Sequence, residues 1–266
     1  MLSLLQYSFV VNAIIGCLLT GIVCGLIGSY VATRRMVFVA GGVAHASLGG
    51  VGLCATLGAP PMLGAAIFSL LTALGAHRLA HKAAVRTDSA IAMLWAAGMS
   101  IGVVCLFLSP SYLPGLSSYL FGNILYVTQT DLIFMAVIAL LNIFIFSLRL
   151  PQITLLAFDT TFARSALRQA NRLELLLLLL TSLSIVACLR TVGIMLVVAL
   201  MSIPQTTASL FATSFRRLAI TSILLSILSC LIGLTLSYLL NVPSGPAIVL
   251  VCIVIYALAC AIKHLR

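Results

Sequence analysis

The chain has 266 residues, of which 63% are apolar and only 7% charged, with a formal net charge of +10. A water-soluble domain carries roughly a quarter charged residues, so the solvent of this chain is lipid, and a soluble enzyme or globular binding module is excluded. In so apolar a chain the positive balance marks topology and contact with membrane lipid, not nucleic acid.

A helix needs about 20 mainly apolar residues to cross the hydrocarbon core. Candidate crossings run over 9–32, 42–57, 62–79, 89–108, 131–148, 173–189, 192–213, 218–240 and 246–264. They describe an all-α, polytopic membrane bundle of eight to nine spans, built as a single domain over 1–266. No Lys or Arg precedes Arg34, so residues 1–32 read as a retained first span and not as a cleaved signal. Pro60 and Pro61 separate the short second and third spans. The seventh starts two residues after the sixth ends and contains Pro204, so a broken or re-entrant crossing is expected there. Nine crossings place alternate loops on opposite sides, and all 14 Lys and Arg except Arg190 then fall on one side. The positive-inside rule makes that side cytoplasmic, with the N-terminus outside and the C-terminus inside. The eight cysteines all lie in apolar runs without a CxxC pair and behave as small hydrophobes.

The chemistry concentrates in the second span. Gly41, His45, Gly49 and Gly52 share one helical stripe, and Gly42, Ala46 and Gly50 form an adjoining row of small residues. Small residues let helices approach closely in lipid or leave room for a passing solute. His45 is the only ionisable residue well inside any span, and such groups face a cavity or a pathway. Its neutral imidazole suits a transition-metal ion; packing against a neighbouring helix is the other reading.

Further along, Asp159 suits the N-cap of a short helix. Arg164, Arg168 and Arg172 then recur every fourth residue, with Phe162, Ala166 and Ala170 on a neighbouring face. An interfacial helix on anionic headgroups is one reading of this segment.

The stretch from Met36 to Gly50, centred on Gly41-Gly42-Val43-Ala44-His45, resembles the second-helix signature of the metal-uptake ABC permeases (ABC-3 family), the zinc and manganese importers. Matches follow in the family's order: Asp88 to Ala92 with Gly98 to Gly102, Ser118 to Leu125, Phe158 to Arg164, and Val192 to Pro204. The resemblance covers the whole chain. It implies a permease subunit in the bacterial inner membrane, two copies of which form a gated path for a divalent transition metal. Zinc is favoured, with manganese or iron open, and the metal is cargo, not a bound cofactor. It implies as partners a separate ABC ATPase subunit, a second permease copy, and a periplasmic or lipid-anchored metal-binding protein docking on the outer face, including 109–130. Family members are similar in carrying an acidic residue four positions before the His, where this chain has Gly41. Only His45 transfers as a metal ligand, with Gly41, Ser47, Gly49 and Asn123 as candidate path residues. Either the metal passes with weaker coordination here, or another polar group such as Ser47 or Asn123 stands in for the missing carboxylate. Asp159, Phe162, Ala163, Arg164 and Arg168 fall in the loop that is similar to the ATPase coupling helix. Thr160 and Thr161 stand where acidic residues are common in the family, and Leu167 where a Gly is usual.

Other patterns carry less. Gly98-Met99-Ser100-Ile101-Gly102 fits the GxSxG pattern of serine hydrolases, but that motif needs a strand-to-helix elbow, and a mid-span run reads as small-residue packing. His77 and His81 have zinc-site spacing but lack the metalloprotease glutamate. Lys82 and Lys263 follow His81 and Ile262, so no P-loop is present and the chain is not itself the ATP-hydrolysing enzyme. The four acids, Asp88, Asp131, Asp159 and Glu174, sit near span ends. A stand-alone secondary metal transporter or channel, the alternative, usually places carboxylates at the midplane.

Overall fold

The computed structural model describes residues 7–82, 87–108, 122, 124 and 127–265, with the backbone alone at 80–82, 87, 88, 106 and 190. The expectations placed on Arg86, on Asn123 and on most of 109–130 fall outside the described residues.

The described residues form helices α1 (Ser8–Thr33), α2 (Val37–Thr56), α3 (Pro61–Lys82), α4 (Thr87–Leu108), α5 (Gln129–Phe158), α6 (Thr160–Ala166), α7 (Ala170–Leu200), α8 (Ile203–Ser209), α9 (Phe215–Leu240) and α10 (Ser244–His264). Eight stretches are long and apolar enough to cross a membrane, and Ser89–Cys105 of α4 is a shorter apolar helix. With it, the described residues hold the nine expected crossings. The all-α bundle of the sequence reading is the observed fold.

Glycine sets how closely the helices pack. A Cβ on Gly25 would stand 2.5 Å from Ile223 Cα, which brings α1 and α9 backbone to backbone. Gly50 and Gly64 lie against each other's carbonyls where α2 and α3 cross. Without a hydrophobic drive between helices in lipid, such contact is what holds them. A Cβ on Gly98 would stand 2.6 Å from Ala46 Cα and one on Gly102 2.6 Å from Leu48 O. The GxSxG run is therefore a packing surface, and Ser100 itself is exposed.

Polar contacts fix which helix ends lie together. The Arg34 guanidinium, after α1, donates to Glu174 Oε1 at 2.8 Å and to the Leu156 carbonyl at 3.4 Å. Phe158 meets Phe215 edge-on at 6.4 Å. The ends of α1 and α5 and the starts of α7 and α9 thus share one end of the bundle. At the other end Asn12 donates to the Val127 carbonyl at 3.4 Å, and Thr128 and Asp131 form a capping box.

Three expectations change in detail. The fifth span does not stop at 148: α5 runs through Pro151 to Phe158. Proline forfeits one backbone hydrogen bond, but Ile153 and Leu156 are fully buried and hold the extension on the bundle. The segment expected to be a loop over 150–173 is therefore largely helical. Second, the four-residue recurrence of Arg164, Arg168 and Arg172 does not lie on one helix, because α6 ends at Ala166 and Leu167 is extended (φ −110°, ψ 116°). Third, the seventh crossing is broken and not re-entrant. Gly193 (φ 76°, ψ 165°) kinks α7, a conformation closed to residues with a Cβ. Helix then runs to Leu200, stops at Met201–Ser202 and resumes as α8. Gln205 of α8 packs against Gly28 of α1, about 9 Å short of Arg34 at 1.5 Å per residue, so the chain does complete the passage. The Gln205 amide donates to the Leu200 carbonyl at 3.0 Å and to the Cys24 carbonyl of α1 at 2.9 Å.

Candidate functional site

Helix α2 starts directly after a turn in which Arg35 is left-handed (φ 56°). Its register puts Val39, Ala40, Gly42, Val43, Ala44 and Ala46 into the core and leaves Gly41 and His45, one turn apart, half-buried on the remaining face. At 1.5 Å per residue, His45 lies about 12 Å into α2, near the middle of a bilayer core of about 30 Å.

The imidazole stacks on Trp95 of α4, with ring centroids 4.6 Å apart and planes 16° apart. Trp95 is oriented in turn: its indole N–H donates to Met99 Sδ at 2.9 Å, and Phe38 lies against it at 5.9 Å. His45 Nδ1 is buried and has no hydrogen-bond partner. A buried nitrogen without a partner is costly where structure alone is served, and an imidazole lone pair is a metal ligand. Gly41 leaves open space beside it: a Cβ there would meet only Val198, at 3.8 Å. The site is thus a niche between α2, Trp95 of α4 and the Ile194–Leu200 limb of the broken crossing. Among the described residues no group of three or more His, Cys, Asp or Glu could hold a metal ion, so one copy of the niche offers a single strong ligand.

The other residues singled out in the sequence lie elsewhere. Ser47 is fully buried and its hydroxyl donates to the Ala44 carbonyl at 2.6 Å. Gly49 packs on Gly98 and Phe68. The structure therefore brings Gly41 and His45 together, but not Ser47 or Gly49 with them. Sequence reasoning missed Trp95, the chain's only tryptophan. Its solitary placement amid small residues was the available signal.

At the arginine-rich end, Asp159 caps α6 by accepting the Phe162 N–H at 2.9 Å, as expected. Ala163 is fully buried, whereas Phe162 is 55% exposed. Arg164 does not stand free: it pairs with Glu174 at 3.1 Å, on the carboxylate that Arg34 holds at 2.8 Å. One acid thus ties α6 to α7 and to the turn that launches α2. Removing one partner of a largely buried ion pair leaves an uncompensated charge and costs about 3 kcal/mol. Glu174→Gln is expected to lower the thermal unfolding midpoint of the purified chain clearly, while Asp159→Asn, which keeps an acceptor at the cap, changes it little.

Comparison with known proteins fits this architecture. A model of the ABC 3 transport family matches residues 6–263. The chain belongs to that family. This ABC 3 permease is 37% identical over 264 residues to an uncharacterized membrane protein of Synechocystis, covering 99% of this chain and 94% of that one. It is 33% identical over 257 residues to the manganese transport system membrane protein MntC of Listeria monocytogenes, covering 97% and 91%. Among solved structures, PsaBC from Streptococcus pneumoniae in complex with Fab superposes with a TM-score of 0.86 at 28% identity, over 96% of this chain and 92% of that one. ABC permeases leave ATP hydrolysis to a separate subunit, in keeping with the missing P-loop.

Proposed function

We propose that this permease carries a divalent transition-metal ion through the membrane in an ATP-driven importer, with His45 as the ligand in the path. The observation that carries this reading is the buried, unpartnered Nδ1 of a mid-membrane histidine beside the open space at Gly41. One imidazole is a poor site, and two facing copies supply two; for that reason the path forms between two copies of the chain. Manganese is the metal in the name of the Listeria relative, while the imidazole accepts zinc, manganese or iron. The basic end faces the cytoplasm by the positive-inside rule. There α6 offers Phe162 to the ATPase subunit, and the opposite end receives the metal-binding protein.

The test is reconstitution of the chain in vesicles with and without its ATPase and binding protein. ATP-dependent accumulation of radioactive manganese or zinc supports the importer. Flux by the isolated chain without ATP overturns it in favour of a stand-alone channel or secondary transporter. Within this reading Phe162→Asp, which puts a charge on the exposed apolar contact, is expected to reduce co-purification of the ATPase by about tenfold, as loss of an aromatic anchor does. Unchanged recovery of the ATPase removes α6 from the docking role.

A further inference from the structure

Where α5 and α7 leave the apolar layer, a cleft of about 580 Å³ opens between them. Arg149, Arg168 and Arg172 line its polar end, and Phe144, Leu148 and Leu176 its apolar wall. The wall residues are 61%, 63% and 43% exposed, so no described helix covers them.

Among the described residues no carboxylate neutralises the charge at the polar end. Arg149 donates to the neutral amide of Gln152 at 2.9 Å. Among the described acids, Asp131 sits in the capping box at the opposite end, Asp159 caps α6, and Glu174 binds Arg34 and Arg164. Three guanidinium groups therefore converge on one cleft without a described carboxylate. Guanidinium matches phosphate oxygens in a two-pronged geometry. Arg149 follows the apolar run of α5, and Arg172 precedes that of α7. The length of those apolar runs assigns both to headgroup depth, with aliphatic and aromatic walls leading along the spans.

We infer that this cleft binds an anionic phospholipid, its phosphate on Arg149, Arg168 and Arg172 and an acyl chain along Phe144, Leu148 and Leu176. A soluble phosphate satisfies only the polar end, and a zwitterionic lipid offers phosphate and acyl chain but brings its own cation among the three arginines. The combination selects a lipid with net negative charge. The inference is independent of which metal is carried and of the role given to His45.

The experiment is native mass spectrometry of the full chain in detergent, titrated with phosphatidylglycerol, with phosphatidylcholine of the same acyl chains, and with glycerol 3-phosphate. One tightly retained phosphatidylglycerol is expected, with weak phosphatidylcholine and no glycerol 3-phosphate. Each arginine near a membrane surface contributes about fivefold in affinity, so Arg149→Gln with Arg172→Gln is expected to weaken phosphatidylglycerol about 25-fold. Arg216→Gln with Arg217→Gln, an equal loss of charge on α9, is expected to leave it unchanged. Should the first pair fail to give folded protein, Arg168→Gln on the exposed turn after α6 is expected to cost about fivefold. Equal retention of the two lipids overturns the assignment, as does an equal loss in the α9 pair. Binding of glycerol 3-phosphate as tight as that of the lipid makes the cleft a phosphate site instead. Unaltered lipid binding with loss of the ATPase subunit gives the arginines to that partner.

Discussion

Gly50→Ala is expected to abolish most of the folded protein, whereas Gly41→Ala, nine residues earlier on the same helix, is expected to be tolerated. A Cβ on Gly50 would collide with the carbonyl of Gly64. That atom is backbone in α3, so no side-chain rotation relieves the clash. Overpacking a close-packed core costs about 1–3 kcal/mol, and a backbone-to-backbone collision falls at or above the top of that range. At Gly41 the added methyl meets Val198 at 3.8 Å, an ordinary van der Waals distance. The check is the fraction of monodisperse chain recovered after detergent extraction, with Gly41→Ala as the internal control. Equal recovery of the two variants would mean that α2 and α3 are not in the contact described.

His45→Ala is expected to lower metal uptake at least tenfold in reconstituted vesicles while leaving expression and ATPase association intact. Loss of groups that merely orient a metal ligand costs 10–100-fold, and loss of the ligand itself falls at the upper end. Folding is spared because Nδ1 makes no hydrogen bond that the variant would break. Stacking on Trp95 is lost too, so His45→Phe separates the two contributions: it keeps a ring against Trp95 but removes the lone pair. Uptake is expected to stay low in His45→Phe. Restoration of transport by phenylalanine would show that the ring only packs, and would remove the imidazole from the path.

The crossings were legible because about 20 apolar residues in a row have few other uses. The basic ends were legible because charge cannot stay in hydrocarbon. What failed to show in the sequence has local causes. Arg149 and Pro151 look like the end of a span, yet α5 continues past both, because the buried faces of Ile153 and Leu156 outweigh one missing backbone donor. The spacing of Arg164, Arg168 and Arg172 looks helical throughout, since a pattern of side chains carries no sign of the extended backbone at Leu167. Pro204 pointed to a break in the seventh crossing, but the sharper departure is at Gly193. There Gly122, also left-handed at φ 62°, lies so close to the backbone of Val192 and Gly193 that a Cβ on Gly122 would collide with it. At the candidate site, His45 stood out by being alone in lipid. Its stacking partner Trp95 did not, because that pairing exists only once α2 and α4 lie side by side.

The interruption at Met201–Ser202 makes the seventh crossing an articulated strut rather than a beam. Its far limb carries Val198 against the His45 niche, and its near limb, α8, is fastened to α1 through the Gln205 amide. A beam would pass any tilt at one membrane face straight to the other. In the strut the Gln205 amide spans the joint, holding the Leu200 carbonyl of one limb and the Cys24 carbonyl of α1, so side-chain hydrogen bonds set the angle where the backbone ladder is interrupted.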